Sequence, residues 1–225
     1  MKVFASRLLR LCIVAVGCLC LSGCFGETYT VRYRLTLVVQ VDGHVRTGSS
    51  VVQVYYIDQA PWHPQWTDNV RGEATYVDLG SRGVLICLLT DDPKRRTGVT
   101  DPASIPVMYF PSFFENGLSS DTSKGGDELN ALNKATPKTD VSFDMLQMMV
   151  WFPNTGSPAG GTVVDPTNLS AALGNELKLL RATVEITDEP VTWRIMEKTA
   201  LDFLAHQQHR QRKVAAKFEC GVRAL

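Results

Sequence analysis

The stretch that decides the fold is "YTVRYRLTLVVQVDG", residues 29–43. Apolar side chains stand at every odd position up to Val41, and most of the residues between them are polar. A period of two predicts a β-strand with one buried and one solvated face, because successive side chains point to opposite sides of a sheet. Asp42 and Gly43 then predict a two-residue hairpin turn, and "SSVVQVYYI" (49–57) is the predicted partner strand.

The apolar runs farther along the chain are short, and turn-forming residues separate them. Strands are predicted at "EATYVDLG" (73–80), "VLICLL" (84–89), "SFDMLQMMVWF" (142–152), "LKLLRATVEIT" (177–187) and "VTWRIME" (191–197). The segment "IPVMYFPSFF" (105–114) is also apolar. Because Pro106 and Pro111 cannot donate to a strand ladder, we interpret it as an edge strand or an extended cover.

One short helix is predicted at "VDPTNLSAALG", residues 164–174. Asp165 can cap it, Pro166 suits the first helical position, and Gly174 can end it. No strand–helix–strand alternation runs through the chain. The fold class predicted is therefore mainly β or α+β, an antiparallel sheet or sandwich of about seven strands with two or three short helices.

The chain divides into three parts by composition. Residues 1–23 have the pattern of a lipoprotein signal peptide, and residues 24–198 form the predicted β-rich periplasmic domain. Within that domain, residues 117–140 are polar and are interpreted as a flexible insertion holding one or two helical turns. Residues 199–225 are predicted to be a helical tail with a basic second half, which is a candidate for contact with anionic lipid headgroups.

The N-terminal segment is typical of export. Basic residues come first, and an apolar run of about ten residues follows, too short for a transmembrane helix of roughly 20 apolar residues. It ends in Leu21-Ser22-Gly23-Cys24, the pattern of a bacterial lipobox, in which the cysteine is lipidated and becomes the first residue. Cys24 fits this pattern better than the three earlier cysteines. Phe25, rather than Asp, favours the outer membrane over the inner one, with the domain facing the periplasm.

Charge and cysteine content set further limits. Removing residues 1–23 removes three basic side chains and leaves 20 basic and 23 acidic ones. This mildly acidic balance argues against a nucleic-acid-binding protein, which usually has a net basic surface. Besides Cys24, only Cys87 and Cys220 remain. The periplasm permits a disulfide between them, but Cys87 lies in an apolar run, so we favour two unpaired thiols.

Several segments together carry a family resemblance. They are "YRLTLVV" (33–39), "RTGSSV" (46–51), "GEATYVDLG" (72–80), "DPTNLSAALG" (165–174) and "TVEITDEPVTWRI" (183–195). This combination resembles a group of uncharacterised small lipoproteins from alphaproteobacteria. The group has no established activity, so the resemblance implies a lipid-anchored envelope protein and no catalytic residue. The tail after residue 198 departs from the pattern of that group.

The tail offers a candidate metal site. Asp202, His206 and His209 are spaced to share one face of a helix, where they can ligate one ion. The alternative is a solvated polar face. Ser49 and Ser50 follow a glycine, but they lack the context of a nucleophile elbow and are interpreted as a turn entering a strand.

Aromatic side chains offer a candidate binding surface for a ligand or a partner. Trp62 and Trp66 flank prolines in "PWHPQW", and Tyr109 and Phe113 stand in "YFPSFF". Tryptophan stacks on sugars and anchors protein interfaces; the alternative is that these rings pack on their own core.

The function predicted is that of an anchored structural or adaptor module without catalysis or cofactor. Its predicted partners are the lipid bilayer and another envelope protein. Two alternatives stay open: an envelope hydrolase or metal-dependent enzyme, and a binder of a sugar or small ligand through the tryptophan loop.

Overall fold

The computed structural model describes residues 27–59, 66–90, 101–153, 160–174 and 176–193. Within these ranges the strands are β1 Thr28–Val41, β2 His44–Asp58, β3 Trp66–Arg71, β4 Thr75–Asp78, β5 Val84–Cys87, β6 Lys138–Asp140, β7 Met149–Phe152, β8 Thr162–Val164 and β9 Leu177–Ile186. The α-helices are α1 Ile105–Tyr109, α2 Thr122–Ala135 and α3 Leu169–Leu173. Single 3₁₀ turns are formed by Gly80–Arg82, Pro102–Ser104, Pro111–Phe113 and Phe143–Met145.

The described strands form two antiparallel sheets. One has five strands in the order β3-β2-β1-β9-β6, and the other has four in the order β4-β5-β7-β8. The predicted fold class is thereby confirmed, with nine strands where the sequence predicts about seven. Six of the predicted strands are found. The additional strands β3, β6 and β8 are three to six residues long, too short for a clear apolar alternation of their own.

Strand β1 lies at the centre of the five-stranded sheet and pairs with β2 on one side and β9 on the other. Its odd-numbered side chains from Val31 to Val41 are buried, as the alternation predicts. Val41 pairs with His44, so the connection is the two residues Asp42 and Gly43. Their φ values of 48° and 80° are the positive angles that a type I′ turn requires, and this turn matches the twist of the flanking strands.

The larger of two apolar clusters in the described part of the chain lies between the two sheets. The four-stranded sheet contributes buried side chains from all four of its strands, and α2 adds Leu129 and Leu132. Burying each large apolar side chain contributes about 1.5–3 kcal/mol. The buried core residues of β1, β2 and the four-stranded sheet are Val31, Tyr33, Leu35, Leu37, Val39, Val41, Val52, Val54, Tyr56, Val77, Leu85, Cys87, Met149 and Val164.

The four-stranded sheet is apolar on its second side as well. We call this side the outer apolar face; its members are Ala74, Tyr76, Val84, Ile86, Leu88, Met148, Val150 and Phe152. All of them except the partly exposed Tyr76 are buried. Strands of this sheet are therefore apolar on both sides, which explains why "VLICLL" has no alternation.

The prediction of an edge strand or extended cover at residues 105–114 is wrong. The segment forms α1 between two 3₁₀ turns. Each proline lies in the first turn of its short helix, where a missing N–H removes no hydrogen bond. Ile105, Phe110 and Phe114 are buried in the core, so the segment covers the sheets in helical rather than extended form.

The structure also differs from the predicted flexible insertion at residues 117–140. Most of this stretch is the fourteen-residue helix α2, which begins after the cap Asp121 and packs against β1. Asn133 Nδ2 donates to the Thr30 carbonyl oxygen at 2.8 Å. The polar composition hides the packing because only Leu129, Leu132 and two glycines of the helix are buried.

Near the C-terminus, some of the predicted elements are confirmed and others are not. Strand β9 is confirmed, and α3 ends at Gly174, as predicted. The helix begins at Leu169 rather than at Pro166, because the Asp165 side chain accepts from the Thr167 N–H and hydroxyl in a separate turn. Residues 191–193 belong to no strand, and the rest of the predicted strand "VTWRIME" lies outside the described residues.

Candidate functional site

Several of the candidate residues lie outside the part of the chain that the structure describes. They are Cys24, Trp62, Asp202, His206, His209 and Cys220. Within the described ranges, no three His, Cys, Asp or Glu side chains are grouped so as to hold a metal ion. No described helix combines the length and the apolar composition needed to cross a bilayer.

Trp66 contacts helix α2 and the residues just before it. Its Nε1 donates to the Ser119 carbonyl oxygen at 2.7 Å, and its ring lies edge-on to Tyr29 with 5.7 Å between centroids. Gly125 and Gly126 stand where a methyl carbon would collide with these two rings. The close approach of helix and rings therefore requires both glycines.

Tyr109 and Phe113 are half-buried at the margin of the core. The Tyr109 hydroxyl donates to the Met145 carbonyl oxygen at 3.3 Å, and burial raises the pKa of its phenol. These two residues and Trp66 all pack against the same core. Their use as a binding surface for a ligand or partner stays a prediction, and it depends on the parts of their rings that the core leaves uncovered.

Two tyrosines lie fully inside the core. The Tyr56 hydroxyl donates to the Ala103 carbonyl oxygen at 2.6 Å. The Tyr33 hydroxyl has no hydrogen-bond partner within the described part of the chain. Burial raises the pKa of both phenols, so both stay neutral and neither is available as a base near pH 7.

Ser49 and Ser50, which follow Gly48, belong to strand β2, and Ser50 forms a structural hydrogen bond. The Ser50 hydroxyl lies 2.6 Å from the Thr75 hydroxyl, so this buried hydrogen bond joins the two sheets at one edge. Gly48 lies nearby, where a methyl carbon would collide with the Tyr76 carbonyl oxygen. The strand predicted after these serines is confirmed, but Ser49 and Ser50 lie inside β2 and do not form a turn that enters it.

Sequence reasoning missed the segment that follows β9. Residues 187–193, here called the crossing segment, leave β9 and pass over β1 to reach β2. The Thr187 N–H donates to the Arg32 carbonyl oxygen at 3.0 Å, and Arg32 Nη1 donates to the Asp188 carbonyl oxygen at 3.0 Å. At the far end, the Thr192 N–H donates to the Val51 carbonyl oxygen at 3.1 Å, and the Val51 N–H donates to Thr192 Oγ1 at 2.8 Å.

Charged side chains fix the crossing segment to the outer side of the five-stranded sheet. Arg34 pairs with Glu189 and lies 3.6 Å from Glu185, which also pairs with Lys138 at 3.1 Å. Arg32 Nε donates to Gln53 Oε1 at 2.6 Å. Each of these arginines thus has a structural partner. The sequence did contain a signal for these contacts. Two arginines stand at alternate positions of β1, and the acidic pair Asp188-Glu189 follows shortly after β9.

The chain was compared with protein-family models, with curated proteins and with solved structures, and none of the three comparisons found a match. The resemblance to small alphaproteobacterial lipoproteins therefore stays a prediction.

Proposed function

We propose that this protein is a lipid-anchored protein of the bacterial cell envelope, in which a β-rich periplasmic domain serves as a structural or adaptor module. The acylated residue is Cys24, and the outer membrane is the favoured location. One observation carries the proposal: a basic start and a short apolar run end in Leu21-Ser22-Gly23-Cys24, immediately before a folded domain. Lipoprotein processing typically attaches two or three acyl chains, and two or more suffice for stable anchoring.

The position of the first strand supports a domain close to the bilayer. Three residues lie between Cys24 and Thr28, and the four steps from one Cα to the next reach at most about 14 Å when extended. The Asp58 N–H donates to the Glu27 carbonyl oxygen at 3.0 Å, so the end of β2 meets the start of β1 at this end of the sheet. The anchor would therefore hold this end of the sheet near the lipid headgroups.

The described contacts give less support to the alternatives. Trp66 uses its ring and its indole N–H within the fold, which reduces what it can offer a sugar. The arginines of the outer sheet surface are engaged with the crossing segment. The hydrolase and metal-enzyme alternatives depend on Asp202, His206 and His209, and no described contact favours them over an anchored module.

The decisive experiment compares Cys24→Ser with Cys20→Ser in the full-length chain expressed in a Gram-negative host. We expect the wild type and Cys20→Ser to incorporate an alkyne-tagged fatty acid, to lose residues 1–23 and to partition into detergent. Cys24→Ser should do none of these, because its hydroxyl is not alkylated by the transferase. Mass spectrometry of the N-terminal peptide reads the modified atom directly.

Acyl label on Cys24→Ser, or a wild-type N terminus that retains the leader without acyl groups, would overturn the proposal. Separation of the inner and outer membranes by density then tests the favoured location. A partner is sought by crosslinking the anchored protein in intact envelopes.

A further inference from the structure

The outer apolar face needs a cover that the described elements do not supply. Val84, Ile86, Val150 and Phe152 are fully buried there. The residues of this cluster come from the four-stranded sheet and its flanks alone, and no described helix contributes a buried side chain to it. Gly161 approaches the rim beside Phe152 and Val150, but one glycine cannot cover a four-stranded sheet.

The crossing segment ends beside this face. Thr192 is bonded to the backbone of Val51 at the edge of β2. A methyl carbon on Gly72 would lie 3.1 Å from the same Val51 carbonyl oxygen, so Thr192 and Gly72 meet at one point. Ala74, two residues after Gly72, is a member of the outer apolar face. The chain that continues from Trp193 therefore starts at the margin of this face.

The sequence after Trp193 contains the apolar side chains that a covering helix would need. Residues 194–206 contain seven apolar side chains, and on a helix of 3.6 residues per turn five of them gather on one side. These five are Met196, Ala200, Leu201, Phe203 and Leu204, whereas Ile195 and Ala205 fall on the other side. Lys198, Asp202 and His206 follow one another at intervals of four and fall on the opposite side. Glu197 is the one charged residue on the apolar side.

The length of a helix formed by residues 194–206 also matches the size of the outer apolar face. Thirteen helical residues extend about 20 Å. The first and last of four neighbouring strands are about 14 Å apart, and a four-residue strand is about 13 Å long. A helix of this length can cover the face whether it runs along the strands or across them.

We propose that residues 194–206 form an amphipathic helix that docks on the outer apolar face, and that the apolar side chains of that helix are the cover. Asp202 and His206 then belong to the solvent side of the docked helix. The other occupants are less suited. Residues 91–100 and 154–159 are polar, residues 60–65 connect two strands of the five-stranded sheet, and residues 207–225 carry five Lys and Arg side chains against one acidic one. Residues 1–23 leave the chain in the proposed mature protein. The proposal does not depend on lipidation.

Site-specific photocrosslinking tests the docking in the mature full-length chain. Benzoylphenylalanine replaces Tyr76, the half-buried member at the rim of the face, and the matched control replaces Val45, which is 61% exposed on the other sheet. We expect the probe at Tyr76 to crosslink to residues 194–206 of the same chain, and the probe at Val45 to give no such product. Mixing isotope-labelled and unlabelled protein separates crosslinks within a chain from crosslinks between chains.

Crosslinks from Tyr76 to a second copy, to lipid, to another protein or only to other segments would overturn the proposal. The absence of any adduct in residues 194–206 would also overturn it.

A second measurement uses two neighbouring methionines that report the two sides of the sheet. Met148 is 6% exposed on the outer apolar face, and Met149 is 0% exposed in the central core. In the Leu201→Asp/Leu204→Asp variant we expect hydroxyl-radical oxidation of Met148 to rise several-fold while Met149 stays protected. The control variant Asp202→Asn/His206→Gln alters the solvent side and should change neither rate.

Unchanged Met148 oxidation in the apolar-side variant would contradict the proposal. If both methionines oxidise faster, that variant has unfolded, and the photocrosslinking result from Tyr76 decides.

Discussion

At the residue scale, the core contains two tyrosines whose hydroxyl groups differ in their hydrogen bonding. Tyr33 and Tyr56 lie on neighbouring strands and are both buried. The Tyr56 hydroxyl donates to a carbonyl oxygen, whereas no partner of the Tyr33 hydroxyl is found among the described residues. An unpaired buried hydroxyl costs about 1–3 kcal/mol of desolvation, and a paired one is repaid by its hydrogen bond. The same substitution should therefore have opposite effects at the two positions.

We expect Tyr33→Phe to raise the free energy of unfolding by up to about 1 kcal/mol, because it removes an unpaired polar atom. Tyr56→Phe should lower it by about 1–2 kcal/mol, because the Ala103 carbonyl loses its donor. Urea unfolding of the two variants, each compared with the wild type, measures both values. A loss of stability in Tyr33→Phe equal to that in Tyr56→Phe would show that the Tyr33 hydroxyl has a partner.

The hairpin turn carries an ion pair with a pH signature. Arg82 donates to both carboxylate oxygens of Asp42, at 2.7 and 3.1 Å, and these hydrogen bonds lower the pKa of that carboxyl. A carboxyl whose pKa is lower in the folded than in the unfolded chain stabilises the fold above its unfolded pKa. That contribution is lost as the pH falls through the folded pKa. Because the pair is exposed, the contribution is small.

An NMR titration of the Asp42 carboxyl should therefore give a pKa below the ordinary aspartate value in the wild type, and a higher one in Arg82→Gln. Arg46→Gln removes a charge that lies beside Gly80, in the same turn as Arg82, and it should leave the pKa of Asp42 where it is in the wild type. Equal shifts in the two variants would mean that general positive charge, rather than the hydrogen-bonded pair, lowers the pKa.

At the element scale, the sequence predicts those elements whose periodicity is long. Strand β1 and its turn follow from thirteen alternating positions and two turn residues, because the pattern is repeated often enough to exclude a helix. Helix α2 was underestimated, since its buried side consists of two leucines and two glycines, and the glycines acquire meaning only next to Tyr29 and Trp66. The crossing segment has no periodicity, so only tertiary structure reveals it. The place of Trp66 was unpredictable for the same reason.

The capping residue of α2 offers a test of that helix. The Asp121 carboxylate accepts from the backbone N–H groups of Ser123 and Lys124, at 3.1 and 3.3 Å. We expect Asp121→Ala to lower the free energy of unfolding by about 1 kcal/mol and Asp121→Asn to lose much less, because asparagine also caps well. Chemical denaturation measures both. An alanine variant as stable as the wild type would mean that packing alone holds the first turn.

At the scale of the whole molecule, both sheets share the core that lies between them, so neither sheet buries its inner side without the other. Trp66 lies in the five-stranded sheet, and Trp151 lies in the four-stranded sheet, where its Nε1 donates to the Arg82 carbonyl oxygen at 2.8 Å. The two indoles therefore report on opposite layers of one cooperative unit.

We expect variants that keep only Trp66 or only Trp151, with phenylalanine at the other tryptophan positions, to unfold in a single transition. Within each variant, the fluorescence midpoint in urea should coincide with the midpoint from far-ultraviolet circular dichroism. A fluorescence transition that precedes the circular dichroism transition in either variant would show that one layer opens before the other.

The central position of β1 has a mechanical consequence if the protein is anchored at Cys24, as proposed. Tension between the anchored end and a partner grasping the hairpin turn would run along this strand, parallel to its axis. Both points of attachment lie at the ends of this one extended strand, so the covalent backbone of β1 would carry the tension and the hydrogen bonds to β2 and β9 would not be loaded. Under such a pull the acyl chains would be extracted from the bilayer before the sheet came apart.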